Sequence, residues 1–137
     1  VCEVFLSRVP ARVGASYAEK REAPTLDDLG FVQQARIFAD VDDPVVIDSS
    51  DIRADPTGML QKLCERIGVP WTPNMLRWPR GGHAADGVWA AHWYGAVHAS
   101  TGFDKAESAL PLLEHDYVRL ADAAMPHYEA LAAYKIT

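Results

Sequence analysis

Two stretches of this chain read as strands, and both are short. Val4-Phe5-Leu6 and Val45-Val46-Ile47 are compact runs of apolar, mostly β-branched or aromatic residues. Helical patterns fill the interval between them and most of the chain after residue 48. A strand, a helical crossover and a second strand place the two strands parallel in one sheet. Two short parallel strands do not make a stable sheet, because parallel sheets are broader and covered on both faces. The first strand also lies at the very start, and residue 1 is Val rather than Met. The expected fold class is therefore α/β, a partial parallel sheet with flanking helices. Residues 1–137 are expected to form a single partial domain, the C-terminal part of a larger one.

The helices announce themselves by their ends. Pro10 suits a first helical turn, where its missing N–H costs nothing, and that helix is expected to reach Lys20. Thr25 reads as the N-cap of a second helix running to about Ala39, with Asp27 and Asp28 in its first turn. Asp42-Asp43-Pro44 is a turn. The clearest helix comes next: Asp55 caps it, Pro56 takes its first position, and Met59, Leu60, Leu63, Cys64 and Ile67 form one apolar stripe. Gly68 ends it and Pro70 prevents its continuation. A helical turn is expected from Pro73 to Trp78, then a glycine-containing loop to Gly87 and a helix over 89–99. A last long helix is expected from about Leu110 to Tyr134, kinked or divided by Pro126.

Composition narrows the function classes. The 137 residues carry thirteen Lys and Arg against nineteen Asp and Glu, a net charge of −6. That balance argues against non-specific binding to nucleic acid or to a membrane surface, and leaves room for a local basic pocket. No apolar run approaches the ~20 residues of a membrane span, and no secretory signal pattern opens the chain. A cytoplasmic location is expected, with Cys2 and Cys64 as reduced, buried thiols.

Arg8 stands at the carboxyl end of the first strand, the edge of an open α/β sheet where ligands sit and helix N-termini point. Ser16 lies eight positions later on the helix that Pro10 opens. Two readings stand side by side. Arg8 and Ser16 hold one anion, or Arg8 pairs with a nearby carboxylate and Ser16 is a small helix residue.

Arg8-Val-Pro, followed by Ser16-Tyr17, resembles the 3′-phosphate-binding segment of sulfotransferases that use 3′-phosphoadenosine 5′-phosphosulfate (PAPS). In that family a strand ends in Arg, a helix begins at Asp/Asn-Pro, and Ser stands eight residues after the Arg. Ala54-Asp-Pro-Thr-Gly-Met-Leu60, Leu63-Cys with Gly68-Val-Pro70, Asp86-Gly-Val-Trp-Ala-Ala-His-Trp-Tyr94 and Val97-His-Ala-Ser-Thr-Gly-Phe103 are similar to a bacterial sulfotransferase-like family with the P-loop NTPase type of fold. The loop from Arg80 through Gly87 to Trp89 is similar in kind to the family's Arg-…-Gly-x-Trp nucleotide-closing loop. The resemblance implies sulfonate transfer from PAPS, released as the 3′,5′-bisphosphate PAP, to a small-molecule acceptor. It implies Arg8, Ser16, Arg80, Gly87 and Trp89 as nucleotide-binding residues; separately, no metal is expected, since no cysteine pair stands near the histidines.

The departures are informative. Val9 replaces the family's Asp or Asn, removing an N-cap worth ~1 kcal/mol. Arg80 stands two residues further from Trp89 than usual, and Ala90 replaces the customary lysine. No G-x-x-x-x-G-K-[ST] phosphate loop occurs. That loop and the usual catalytic base are expected upstream, so no catalytic residue is assigned here. This chain is expected to supply the 3′-phosphate half and to be inactive alone. The alternative is a non-catalytic nucleotide-binding or interaction module of the same fold. An open sheet edge leads to the expectation of a homodimer or poor solubility for the isolated chain.

Other constellations are weaker. His92 and His98, six positions apart, do not share one helix face as an i, i+4 ligand pair does, so buried structural histidines are the favoured reading over an acceptor contact. Trp71, Trp78, Trp89 and Trp93 are core candidates before they are adenine-stacking ones. Asp48, Ser49 and Asp51 come after the second strand and either cap a turn or meet an acceptor. Lys20, Lys62, Lys105 and Lys135 sit in solvated contexts, which gives no pyridoxal-phosphate lysine.

Overall fold

A computed structural model describes residues 2–20 and 23–137. Strands β1 (Val4–Ser7) and β2 (Val45–Asp48) pair in parallel, with Val4 opposite Val45 and Ser7 opposite Asp48. Helices α1 (Pro10–Glu19) and α2 (Phe31–Ala39) make the crossover between them. After β2 come α3 (Ser49–Ala54), α4 (Pro56–Ile67), a 3₁₀ turn at Pro73–Leu76, two short helices α5 (Ala90–Trp93) and α6 (Gly95–Ala99), and the long α7 (His115–Ala132).

Burial follows the two-residue period of a strand in β1 and breaks it in β2. Phe5 and Ser7 are buried while Val4 and Leu6 are exposed, whereas all four residues of β2 are buried. β2 is therefore the interior strand. Past α7 the chain returns beside it: Lys135 bridges Val46, and Ile136 N donates to Val46 O at 2.9 Å. Phe5, Val46 and Leu131 form the core cluster, joined by Phe38, whose ring meets Phe5 edge-on. Both α1 and α2 pack against α7.

The clearest helix of the sequence forms as expected. Asp55 Oδ1 accepts from Gly58 N at 2.9 Å, Pro56 opens α4, and Gly68 ends it at φ 71°. A Cβ on Gly58 would lie 2.1 Å from Asp55 Oδ2, so the glycine makes room for the cap.

Elsewhere the boundaries move. Thr25 does not start α2. Thr25 and Asp28 cap each other in a closed turn, and the helix begins at Phe31 after Gly30, which turns the chain at φ 77°. The expected 89–99 helix is broken at Tyr94 into α5 and α6. The last helix starts at His115 rather than Leu110, because the chain stays extended through Glu114, at φ −65° and ψ 157°. Pro126 lies inside α7 without dividing it. α3 arises where a polar turn was expected: Asp48 caps it, with Oδ1 accepting from Ser50 N at 2.8 Å. Cys64 is buried, but Cys2 is exposed, since it precedes β1 and its packing.

Candidate functional site at the carboxyl edge of the sheet

The two strands end side by side at Ser7 and Asp48, both almost fully buried. A buried carboxylate needs donors. Asp48 Oδ2 accepts from Ser7 Oγ at 3.0 Å and from Tyr128 Oη at 2.9 Å. Burial pushes the Tyr128 phenol well above its ordinary range, and the hydrogen bond to Asp48 and the charge of that carboxylate add to the shift. This knot ties β1, β2 and α7 together directly beneath the edge from which Arg8 emerges.

Arg8 is the first residue beyond β1. Its Nη1 donates to Ser16 Oγ at 3.1 Å, and Ser16 Oγ donates to Arg12 O at 3.1 Å. The sequence-predicted pair thus meets. Among the described residues Arg8 forms no ion pair with a carboxylate. Arg12, Ser16 and Lys20 recur every fourth residue, so one face of α1 carries a basic and hydroxylic stripe leading away from Arg8. At its far end Lys20 Nζ donates to His92 O at 2.8 Å and the Tyr17 ring meets Trp93 edge-on at 5.5 Å, docking α5 on α1.

Sequence reasoning missed Glu107. Its side chain is 5% exposed and bridges two elements, α1 and α3. Oε2 pairs with Arg12 Nε at 2.7 Å and accepts from Ser50 Oγ at 2.5 Å, while Oε1 pairs with Arg53 Nη1 at 3.1 Å. Arg53 also donates to Lys105 O from Nε and Nη2, and Arg12 donates to Ser108 O. The irregular segment around Glu107 is thereby strapped across α1 and α3. A glutamate in a stretch without periodicity gives no signal of this kind in sequence.

The other sequence candidates lie apart from Arg8. Arg80 is exposed and donates from Nε to Ala99 O at 3.3 Å. Gly87 is exposed, its carbonyl accepting from Ala90 N. Trp89 is 71% exposed, which removes it from the core. Among the described residues, no hydrogen bond or ring contact joins these three to Arg8 or Ser16. His98 does not enter the core either: it pairs with Asp86 beside a cleft.

The sulfotransferase domain family matches residues 1–135. The chain belongs to that family. This sulfotransferase domain is 34% identical over 137 aligned positions to branched-chain-amino-acid aminotransferase-like protein 1 of Arabidopsis thaliana, and 31% identical to branched-chain-amino-acid aminotransferase-like protein 2 of the same plant. Each alignment covers 95% of this chain and 24% of the relative, so the chain spans about a quarter of the length of either. No solved structure matches it with significance. Of the four lysines considered for a pyridoxal-phosphate role, Lys20, Lys62 and Lys105 are exposed, while Lys135 is half-buried and pairs with Asp51 at 2.7 Å. Among the described residues no helix is long and apolar enough to cross a membrane.

Proposed function

We propose that the protein carrying this sulfotransferase domain transfers a sulfonate group from PAPS to a small-molecule acceptor, with Arg8 and Ser16 holding the 3′-phosphate. One observation carries the reading: Arg8 stands at the ligand edge of the sheet, aligned by Ser16 and without a carboxylate partner among the described residues. A structural arginine in that position would be neutralised, as Arg12 and Arg53 are by Glu107. A phosphate between Arg8 and Ser16 would exchange one neutral hydrogen bond for charge-assisted ones, which are roughly twice as strong. At the start of α1, Pro10 has no N–H and Arg12 N and Val13 N donate to Val9 O, so the Ala11 N–H and the helix dipole are what the helix adds at this edge.

Sulfonate transfer, like phosphoryl transfer, depends on positioned positive charge around the equatorial oxygens. The residues for the 5′-phosphosulfate are expected outside this chain, which has no G-x-x-x-x-G-K-[ST] loop. That same observation favours a second reading, a nucleotide-binding module without transfer activity. Calorimetric titration of the full-length protein with PAP and with adenosine 5′-phosphosulfate, which lacks the 3′-phosphate, tests the site. Tighter binding of PAP is the expected result, and equal affinities would remove the basis for a 3′-phosphate site. Release of PAP from PAPS in the presence of an acceptor separates the enzyme from the module.

A further inference from the structure

Two sets of donors flank the carboxyl edge of the sheet. Arg8 leaves β1 one residue after Ser7, and Ser7 stands opposite Asp48 at the end of β2. Asp48 Oδ1 accepts from Ser50 N at 2.8 Å, which fixes Ser50 at the same edge. The Ser50 hydroxyl donates to Glu107 Oε2 at 2.5 Å, and the same oxygen pairs with Arg12 Nε at 2.7 Å. Arg12 lies one helical turn before Ser16, and its carbonyl accepts from the hydroxyl that Arg8 also meets. Long helical side chains lean toward the N-terminus of their helix, which for α1 is the end at the sheet. Arg8 with Ser16 makes one set, and Arg12 with Ser50 and Arg53 makes the other.

The charges among these groups do not balance. Arg12 and Arg53 share the single carboxylate of Glu107, and Arg8 pairs with none among the described residues. The other carboxylates nearby are engaged elsewhere. Asp48 accepts from Ser7, Tyr128 and Ser50 N, and Asp51 pairs with Lys135. Three guanidiniums thus face one carboxylate, a surplus that suits a phosphate carrying close to two negative charges.

Glu107 reaches this position on a segment without regular structure, since residues 103–114 belong to no helix or strand. The same arginines hold its backbone. Arg12 Nη2 donates to Ser108 O, and Arg53 Nε and Nη2 donate to Lys105 O. The segment is therefore tied down by two cations, and a phosphate draws a guanidinium more strongly than a carboxylate of half its charge does.

We propose that Glu107 is a tethered competitor of the bound phosphate, and that Arg12 is a further phosphate ligand which Glu107 holds in reserve. This rests on the reading of Arg8 and Ser16 as a 3′-phosphate site. Without nucleotide, Arg12 is paired with Glu107 and the strap is closed across α1 and α3. With phosphate at Arg8, Arg12 turns from Glu107 to the phosphate, Ser108 O loses its donor, and the strap loosens while Arg53 keeps hold at Lys105. Strap closure and nucleotide binding oppose each other, and by linkage each weakens the other by the same factor. Reclosure of the strap then helps to displace PAP.

The test uses PAP and the full-length protein. Glu107→Gln keeps the size of the side chain and removes its charge. In calorimetric titration that variant is expected to bind PAP roughly fivefold or more tightly than the wild type, the lower end of ordinary coupling between sites. A glutamate that only supports the fold gives the opposite sign, because its loss loosens α1. Arg12→Gln is expected to cost more PAP affinity in the Glu107→Gln background than in the wild type, where Arg12 is partly engaged. In the wild type, PAP is expected to speed amide exchange over residues 103–110. Unchanged or weaker PAP binding by Glu107→Gln, or slower exchange over 103–110, would overturn the proposal. Should Glu107→Gln fail to fold, the exchange measurement on the wild type decides alone. If PAP binds neither protein, the 3′-phosphate reading falls and the latch with it. If PAP binds both equally, only the latch falls.

Discussion

Arg8 and Ser16 lie 3.1 Å apart, guanidinium to hydroxyl, although a strand end and the opening turns of a helix separate them in the chain. Neither side chain is buried enough to need the other, and the contact leaves the charge of Arg8 uncompensated within the described chain. Arg8→Ala is expected to weaken PAP binding about ten- to a hundred-fold, since a charge-assisted contact is worth roughly 1.5–3 kcal/mol. Ser16→Ala, losing one hydroxyl, should cost less. Binding of adenosine 5′-phosphosulfate should barely respond to either change. Titration calorimetry reads all of these, and equal losses for both nucleotides would make Arg8 a structural residue.

Tyr128→Phe removes one of the donors to buried Asp48, and hydrogen bonds to charged groups contribute about 1.5–3 kcal/mol. Chemical denaturation should show a loss of that size. The pH dependence has a definite sign. The folded-state pKa of Tyr128 is raised above its ordinary value of 10. Above pH 10 the unfolded chain therefore loses a proton that the folded chain keeps, and stability falls as pH rises. That alkaline decline should begin near pH 10 in the wild type and be shallower in Tyr128→Phe.

Glu107→Ala leaves Arg12 and Arg53 facing each other without their shared carboxylate. Arg12 is 15% exposed and Arg53 31%, so solvent recovers part of the loss. A destabilisation of about 1–3 kcal/mol is expected, with earlier amide exchange in α1 and α3. Unchanged stability and exchange would show that the strap contributes nothing.

Gly58→Ala should reverse the usual sign of its class. Replacing glycine by alanine inside a helix ordinarily stabilises by about 0.5–1 kcal/mol. Here the new methyl meets the Asp55 carboxylate and dislodges a cap worth roughly 0.5–2 kcal/mol. A thermal melt should show a lower Tm, and a higher one would mean that the cap is dispensable.

The free edge of β1 predicts association. Among the described residues β1 pairs with β2 alone, and Gln34 Nε2 covers one acceptor of that strand at Leu6 O. Residues 1–137 expressed alone should dimerise or precipitate, as an unpaired edge is a template for another chain. A monomer with a reversible melt, by light scattering and calorimetry, would contradict this.

Local chemistry was enough to read several features from the sequence. Pro10, Asp55-Pro56 and Gly68 mark helix ends through their own backbone and cap geometry. The β-branched run at Val45–Ile47 favours a strand, and strands on either side of a helical crossover favour parallel pairing. The spacing of Arg8 and Ser16 left open whether Arg8 meets an anion or a carboxylate; the two side chains come together because the end of β1 and the start of α1 adjoin. Tertiary structure decided the rest. Thr25 carries every mark of an N-cap, yet Asp28 closes on it and Gly30 delays the helix. Glu107 acquires its role only because α1 and α3 present Arg12 and Arg53 to the same point. His98 and Asp86 meet because residues 77–82 run antiparallel to 98–102, with Trp78 N donating to Thr101 O and Gly81 N to His98 O. Contacts of that kind depend on where separate segments are carried by packing, and no pattern within any one segment encodes them.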